Sequence, residues 1–328
     1  MNDHPTTFNP SGSPAQALHG VVNGWFVGRS HAGSGQYTDH LLAHLPPVAP
    51  QAKWTVLLPE DTPLPAPIHP NLTFQSIPLP RLPASLAKVW WEQITIPRLA
   101  RRLRADVLWV PYWAAPWWQP MPTVVTIHDL IPLLLPAYRG GWLNRLYTRL
   151  VSATARRADR VLTVSQASAR DITEHLGIPA QRITPVHHGP NQEGHTAHSA
   201  VDAEKISAKY GLPARYFLYL GGFDVRKNVV MLLLAYKRFL EKGGDPSVKL
   251  VIAGKLPHRS TQFAPDPRPL AGGLGLADSI IFTGWVDEAD KPTLYALSLG
   301  YLFPSQYEGF GMMLLEAMQA GTPVVTSL

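Results

Sequence analysis

The sequence contains no cysteine among its 328 residues. Disulfide bonds, thiolate nucleophiles and cysteine-ligated zinc are therefore excluded. No apolar run reaches the roughly 20 residues that a bilayer-spanning helix requires, and the first twenty residues lack the charged segment and apolar core of a secretory signal. These absences predict a cytoplasmic globular protein.

Two ligand-binding patterns are also missing. An Asp-x-Asp pair occurs nowhere, so the sequence has no obvious carboxylate site for a divalent metal on a diphosphate, and we expect neither a metal nor a cofactor. Gly33 and Gly35 follow the first predicted strand, but a third glycine is missing at the offset that a dinucleotide fingerprint needs. A dinucleotide-dependent oxidoreductase, which would have the same sheet architecture, is therefore disfavoured.

Positive charge exceeds negative charge in this chain. Lys and Arg number 29 against 23 Asp and Glu, which gives a formal net charge of +6 and a pI near 9.5. Basic residues occur in both halves without a nucleic-acid-binding motif, which favours a solvated surface over a nucleic-acid site. The electrostatic field of this positive charge would also attract an anionic ligand or a membrane leaflet. The densest cluster lies on a helix predicted from about Ser85 and comprises Arg98, Arg101, Arg102 and Arg104.

Short apolar runs alternate with helical patterns in both halves of the chain. This alternation predicts an α/β protein with two doubly wound domains facing each other across a cleft. A polar segment from Asn191 to about Ala200, with His and Gly and no periodicity, is typical of an interdomain linker. We therefore expect a first domain at 1–190, a linker at 191–204 and a second domain at 205–328.

A strand-loop-helix unit near the end of the chain carries two acids. A predicted strand from Leu299 to Phe303 is followed by a Gly-Phe-Gly break and by a helix from Met312, with Glu308 in the loop and Glu316 about one turn into the helix. Either acid alone is explained as a partner of the helix dipole. The glycines between them have no helix-stabilising purpose, and they allow a ligand to approach the backbone closely.

The run Glu308-Gly-Phe-Gly-x-x-x-x-Glu316-Ala, followed by Gly321-Thr-Pro-Val-Val, resembles the signature of retaining nucleotide-sugar glycosyltransferases of family 4. That family has the GT-B fold of two Rossmann-like domains. In it the first Glu faces the donor sugar and the second binds the ribose hydroxyls, since a carboxylate can accept from two vicinal hydroxyls at once. The resemblance implies donor binding by Glu308, Gly309, Phe310, Gly311 and Glu316.

In the first half, two glycines and a histidine follow predicted strands. Gly33 and Gly35 open a helix and could cradle phosphate with backbone N–H groups, although a tight turn without ligand explains them equally well. His128 and Asp129 follow the strand from Thr123 to Ile127, at the sheet edge where ligands collect. A histidine that pairs with its neighbour is the alternative. The resemblance implies that His128 reaches the donor sugar and that Asp129 orients the His128 ring or serves the acceptor.

In the second half, Arg226 and Lys227 precede a long predicted helix. Cations oppose the dipole at a helix start, so a diphosphate between them explains them better than helix stability does, and a plain surface pair is the alternative. The segment Gly-Gly-x-x-x-Arg-Lys-Asn resembles the family's phosphate-binding segment, except that Gly222 stands where many members have Arg. Which of the two cations touches phosphate therefore stays open. The resemblance also assigns Gly222 and Gly254 to donor binding.

A proline- and tryptophan-rich segment, 111–118, follows the strand that begins at Asp106. Indole rings stack on sugars and settle at membrane interfaces, but they are more often large buried contacts. Acceptor binding is therefore one of two interpretations of this segment.

Together, the residues and the resemblance predict a metal-independent hexosyltransferase of polysaccharide biosynthesis. It would move a hexose, with retention, from a nucleotide diphosphate sugar to a hydroxyl of a glycan or lipid-linked saccharide. His128, Glu308, Lys227 and Arg226 are the expected catalytic residues. A non-catalytic nucleotide-sugar-binding protein and a nucleotide-sugar epimerase are the alternatives. We expect a peripheral contact with the inner face of the membrane and no nucleic-acid partner.

Family members continue beyond the strand that begins at Pro323 with further helices. The chain ends at Leu328, so we expect its second domain to be incomplete.

Overall fold

The computed structural model describes residues 17–29, 33–63, 65, 69–189 and 200–327. The chain divides into two compact units. The first comprises 1–128, 146–163 and 169–184, and the second comprises 129–145, 164–168 and 185–328. The expected linker lies mostly outside the described residues, and its last residues, from Ala200, belong to a helix that ends at Tyr210.

The first unit is built on a seven-stranded sheet in the order β3-β2-β1-β4-β5-β6-β7. Its neighbouring strands pair in parallel, as the buried apolar runs of the sequence predict. The strands are β1 (His19–Asn23), β2 (Lys53–Pro59), β3 (Leu72–Ile77), β4 (Val107–Val110), β5 (Thr123–Ile127), β6 (Arg160–Thr163) and β7 (Ile183–Pro185).

Helices connect these strands. The segment predicted to be helical from about Ser85 is two α-helices joined by a π-helical turn at Trp91–Thr95. The helices are α1 (Gly33–Val48), α2 (Ala84–Trp90), α3 (Ile96–Arg102), α4 (Ile131–Leu134), α5 (Trp142–Ala155) and α6 (Gln166–Leu176).

The second unit has a five-stranded parallel sheet in the order β10-β9-β8-β11-β12. Apolar clusters cover both faces of its central strands. The elements are α7 (Ala200–Tyr210), β8 (Tyr216–Leu220), α8 (Val229–Glu241), β9 (Lys249–Ala253), α9 (Pro267–Gly273), β10 (Ile280–Gly284), α10 (Lys291–Leu297), β11 (Gly300–Phe303), α11 (Met312–Gln319) and β12 (Val324–Thr326).

These sheets confirm the predicted class of two doubly wound α/β domains. Two boundaries differ from the prediction. The first strand, expected to run from Val21 to Phe26, ends at Asn23, whose Oδ1 accepts a hydrogen bond from the N–H of Trp25 at 3.2 Å and turns the chain. The stretch from Leu256 to Pro269 was expected to be a loop, but α9 begins inside it.

The start of α9 has a physical reason. Its first residue is Pro267, which the first turn of a helix tolerates because the N–H there has no intrahelical partner. Asp266 Oδ1 accepts the N–H of Arg268 at 3.0 Å and caps the helix.

Among the described residues, no helix combines the length and the apolar character needed to cross a membrane.

Candidate active site

The strand order of the second sheet reverses beside β8. Its successors β9 and β10 lie on one side and β11 and β12 on the other. The loops that follow β8 and β11, residues 221–228 and 304–311, therefore flank a topological switch point. Parallel α/β sheets bind their ligands at such a point, outside the carboxyl ends of the strands.

Both predicted cations of the first loop reach the predicted acid of the second. Lys227 Nζ donates to Glu308 Oε1 at 2.7 Å, and the Arg226 guanidinium pairs with the other carboxylate oxygen. Arg226 also donates to the carbonyl of Tyr307 at 2.9 Å. A left-handed residue, Asn228 with φ of 56°, separates the two cations from α8. Residues about 80 positions apart therefore form one charged cluster.

The charges of this cluster sustain one another. Burial alone would raise the pKa of Glu308, but the ammonium of Lys227 and the guanidinium of Arg226 outweigh it and hold that pKa below its ordinary value. Burial opposes the charge on Arg226, and Glu308 more than compensates, so the pKa of Arg226 is raised. Glu308 and Arg226 are therefore ionised at neutral pH.

Donor capacity remains after these pairs form. Arg226 Nε is buried and has no hydrogen-bond partner among the described residues, and the nearest carboxylate oxygen, of Asp224, lies 3.6 Å away. Lys227 has three N–H donors, and its bond to Glu308 uses one of them. An unpaired buried donor costs about 1 to 3 kcal/mol. A ligand oxygen at this point would satisfy it.

Asp224 and Tyr138 complete the surroundings of Arg226, and the sequence analysis identified neither. The hydroxyl of Tyr138 donates to Asp224 Oδ1, and the Arg226 guanidinium lies 6.0 Å from the centre of the Tyr138 ring. Burial and the nearby Asp224 carboxylate raise the pKa of Tyr138 to about 12. This tyrosine is therefore a neutral donor at physiological pH.

The Gly309-Phe310-Gly311 loop is anchored by two serines that the sequence analysis also missed. Ser165 Oγ and Ser168 Oγ both donate to the carbonyl of Gly309, at 2.7 and 3.2 Å. Gly311 has φ of 94°, in the left-handed region that favours glycine, and it directly precedes α11. Ser165 follows β6, so the rule that selected His128 by its place after a strand could have selected it.

Asp129 lies in the second unit beside the charged cluster. Its Oδ1 accepts the N–H of Ile131 at 3.0 Å. Burial raises its pKa, Arg226 partly opposes this, and Glu308 adds to it. The charges of Arg226 and Glu308 therefore both act on Asp129, the acid predicted to serve the acceptor.

Glu316 is not part of that cluster. It lies within α11, and its Oε2 accepts a hydrogen bond from the hydroxyl of Tyr295 at 3.2 Å. The Phe310 ring packs against His187 and His188, with centroid distances of 5.9 and 5.1 Å. Donor binding by Glu316 and Phe310 stays a prediction.

In the first unit, the start of α1 meets the end of β5. The ring of Tyr37 packs edge-on against the ring of His128 with centroids 4.7 Å apart. A ring nitrogen of His128 lies 3.3 Å from the carbonyl of Pro111. Gly35 is buried, and a Cβ there would lie 2.1 Å from the carbonyl oxygen of Arg29, whereas a Cβ at Gly33 would meet nothing. The fold therefore places the start of α1 beside His128, and a shared role of Gly33, Gly35 and His128 in donor binding stays a prediction.

The structural reason for a glycine differs between positions 254 and 222. Gly254 has φ of 140°, and a Cβ there would lie 2.1 Å from the carbonyl oxygen of Gly221. This close approach of two backbones explains Gly254 without a ligand. Gly222 is exposed, and a Cβ there would lie 3.3 Å from a carboxylate oxygen of Asp224. Donor contacts of both glycines stay predictions.

Two of the tryptophans considered for acceptor binding do not stay at the carboxyl edge of the first sheet. Trp117 and Trp118 are 53% and 42% exposed. The guanidinium groups of Arg157 and Arg101 lie 4.9 and 5.5 Å from the centres of their rings. Arg157 lies three residues before β6, and Arg101 lies in the last turn of α3, before β4, so these indoles lie at the amino edge.

Comparison with known proteins gives two family models that match this chain. A family model described as Glycosyltransferase Family 4 matches residues 32–193, and one described as Glycosyl transferases group 1 matches residues 202–328. A serotype-specific mannosyltransferase of Escherichia coli is 32% identical over 218 residues, which are 63% of this chain and 25% of the relative. O-antigen chain mannosyltransferase B of the same species is 31% identical over 206 residues, or 62% of this chain and 52% of the relative.

A solved structure supports the fold. Anabaena HepE in complex with UDP-glucose is 18% identical, covers 94% of this chain and 80% of its own, and has a TM-score of 0.61. At this identity the likeness concerns the fold alone. The chain spans between a quarter and about half of the length of the two curated relatives.

Two doubly wound parallel sheets, the second with cations and a carboxylate gathered at its switch point, define a protein of the GT-B class. The two family models together account for most of the sequence. The chain belongs to glycosyltransferase family 4.

Proposed function

We propose that the protein transfers a hexose from a nucleotide diphosphate sugar to a hydroxyl group of a glycan or lipid-linked saccharide. The observation that carries this proposal is the convergence of Arg226 and Lys227 on Glu308 at the switch point of the second sheet, with donor N–H groups left over. Such donors suit the oxygens of a leaving diphosphate.

The relatives narrow the class of substrates. Both curated relatives are named mannosyltransferases, and one of them is assigned to O-antigen chains. The structural neighbour HepE was solved with UDP-glucose. We therefore propose a role in polysaccharide biosynthesis, in the cytoplasm at the inner face of the membrane, with a hexose donor.

The proposed chemistry retains the anomeric configuration and uses no metal. The bond between the anomeric carbon and the phosphate oxygen breaks, and its electron pair goes to the diphosphate, whose charge Lys227 and Arg226 stabilise. The acceptor oxygen forms its bond on the face that the diphosphate leaves, and its proton passes to a leaving phosphate oxygen. Glu308 orients the sugar and tempers the positive charge at the anomeric carbon.

The test combines calorimetry and product analysis. Uridine, guanosine and adenosine diphosphate sugars are titrated into the wild-type protein and into Lys227→Ala. We expect one nucleotide class to bind, Lys227→Ala to lower turnover at least about a hundredfold, and EDTA to change nothing. Nuclear magnetic resonance of the product reads the anomeric configuration. Turnover unchanged in Lys227→Ala contradicts the proposal, and a product that is an epimer of the donor sugar indicates an epimerase.

A further inference from the structure

The amino edge of the first sheet carries seven arginines near the starts of three strands, β4, β6 and β7. We call this surface the arginine rim. Each arginine begins one of these strands or lies within six residues before it, and the two exposed indoles of Trp117 and Trp118 lie among them. The arginines are Arg101, Arg102, Arg104, Arg156, Arg157, Arg160 and Arg182.

Acids do not neutralise the arginine rim. None of its arginines lies within 4.0 Å of a carboxylate oxygen in the part of the chain that the structure describes. Where they make hydrogen bonds, they donate to backbone carbonyls, as Arg156 does to Leu176 at 2.6 Å and Arg182 does to Ala158 at 3.2 Å. A hydrogen bond to a carbonyl positions a guanidinium without cancelling its charge.

Two aspartates lie at the same edge and are engaged by the backbone. Asp106 Oδ2 accepts the N–H of His19, and Asp159 Oδ2 accepts the N–H of Thr123, both at 2.8 Å. Seven arginines therefore outnumber the two aspartates at this edge, and the rim carries an excess of positive charge.

The indoles determine the kind of partner. Trp117 and Trp118 are large apolar groups held at the surface beneath guanidinium groups. Indoles settle at the boundary between lipid headgroups and acyl chains, and basic side chains near an anionic leaflet contribute about 1 kcal/mol each. An array of arginines spread over the starts of three strands matches a diffuse anionic surface better than a single phosphate group.

We propose that the arginine rim is a docking surface for an anionic lipid bilayer, with Trp117 and Trp118 entering the interface. The rim and His128 lie at opposite ends of β5, about 15 Å apart for a five-residue strand. The carboxyl edge of the sheet therefore stays open to substrates when the bilayer is bound. The proposal makes the suggested membrane location specific, and it does not depend on transferase activity.

The test is co-sedimentation of the full chain with vesicles of phosphatidylcholine alone or mixed with phosphatidylglycerol. We expect binding to the mixed vesicles only, weakening as salt is added. Trp117→Ala/Trp118→Ala and Arg101→Gln/Arg157→Gln should each weaken binding about tenfold or more. The control Arg238→Gln/Lys242→Gln removes the same charge from exposed positions in and directly after the last turn of α8 in the second unit and should bind like the wild type.

Four outcomes overturn the proposal. They are no binding of the wild type to anionic vesicles, equal binding to both kinds of vesicle, equal losses in the α8 control, and unchanged binding of both rim variants. Far-ultraviolet circular dichroism identifies any variant that fails to fold, and single substitutions then replace the double ones. In the folded wild type, a shift of tryptophan emission to shorter wavelength with anionic vesicles, absent in Trp117→Ala/Trp118→Ala, supports indole insertion.

Discussion

At the scale of single residues, the carbonyl of Gly309 has an arrangement with a directional consequence. The C=O and the following N–H of a trans peptide point in opposite directions. Because Ser165 and Ser168 both donate to this carbonyl, they fix the side of the chain to which the N–H of Phe310 points. The serines therefore orient a backbone donor in the loop expected to contact the sugar.

The double variant Ser165→Ala/Ser168→Ala should release this peptide. We expect kcat/KM to fall about tenfold, because the loop then samples the flipped peptide, while the melting temperature changes little. Steady-state kinetics with separate kcat and KM values measure the effect. Thr173→Ala is the control, since its hydroxyl bonds to a carbonyl within the same helix, α6. Kinetics equal to those of the wild type would rule out an orienting role.

The Glu308 carboxylate predicts a pH effect. Its folded-state pKa lies below the ordinary value because its two cations outweigh burial, so it stays ionised well into the acid range. In Arg226→Gln one of those cations is lost, and the pKa of Glu308 should rise. The acid limb of the kcat/KM profile should therefore move to higher pH. An unmoved acid limb in this variant would mean that Glu308 does not need to be ionised.

The charged residues of the site could be predicted from sequence, and their neighbours could not. Glu308, Arg226 and Lys227 stand in sequence patterns that resemble the motifs of a known family. Tyr138 and Ser165 touch residues 86 and 144 positions away, and no local periodicity records contacts at that separation. Long-range hydrogen bonds of ordinary polar residues can be identified only from the three-dimensional structure.

At the scale of elements, the segment from α2 to α3 contains a buried ion pair. Lys88 Nζ lies 2.6 Å from Oε1 of Glu92, which is fully buried beside the π-helical turn. Tyr147 donates to the same carboxylate at 2.9 Å. Burial raises the pKa of Glu92, and the charge of Lys88 opposes that rise.

Removing one partner of this pair should be costly. Lys88→Met leaves a buried carboxylate unpaired, and we expect it to lose about 3 kcal/mol of unfolding free energy at neutral pH. The folded-state pKa of Glu92 then lies further above the unfolded value, so the loss grows as pH rises and shrinks toward about pH 5. Urea unfolding at two pH values measures it.

Two further variants sharpen this test. Lys88→Met/Glu92→Gln should recover much of the stability, because no buried charge remains. Lys237→Met breaks the exposed pair with Glu241, 3.8 Å apart on α8, and should cost less than about 1 kcal/mol. A pH-independent loss in Lys88→Met would show that the ion pair is not its cause.

The ends of β8 and β9 depend on Gly254. Because a Cβ there would lie 2.1 Å from the Gly221 carbonyl at a φ of 140°, Gly254→Ala should cost about 2 kcal/mol or more. Gly272→Ala, inside α9 with no atom within 4 Å of its Cβ position, should leave stability unchanged or slightly higher. Thermal unfolding of both variants measures whether a Cβ at position 254 lowers stability more than a Cβ at position 272.

The strands and long helices followed from apolar periodicity, whereas their ends did not. The first strand stops early because the side chain of Asn23 turns the chain, and α9 starts at a proline that a pattern analysis treats as loop. Both boundaries are set by a single hydrogen bond to one N–H group. Such bonds leave the hydrophobic pattern unchanged.

At the scale of the whole molecule, the two cations and the carboxylate proposed to bind the diphosphate and the sugar all lie in the second unit. A bound nucleoside diphosphate should therefore slow hydrogen exchange mainly at residues 221–228 and 304–311, the loops that follow β8 and β11. Mass spectrometry of exchange with and without the nucleotide class that binds in calorimetry measures this. Protection confined to the first unit would move the donor site away from Arg226.

The arginine rim also predicts how the protein adsorbs to negatively charged solids. The rim holds seven arginines, none of which lies within 4.0 Å of a carboxylate oxygen in the described part of the chain, so sulfonate resin or mica should adsorb the protein in one preferred pose. In that pose the carboxyl edge of the first sheet faces the liquid. Simple adsorption would then give an oriented, immobilised preparation without tags or crosslinkers.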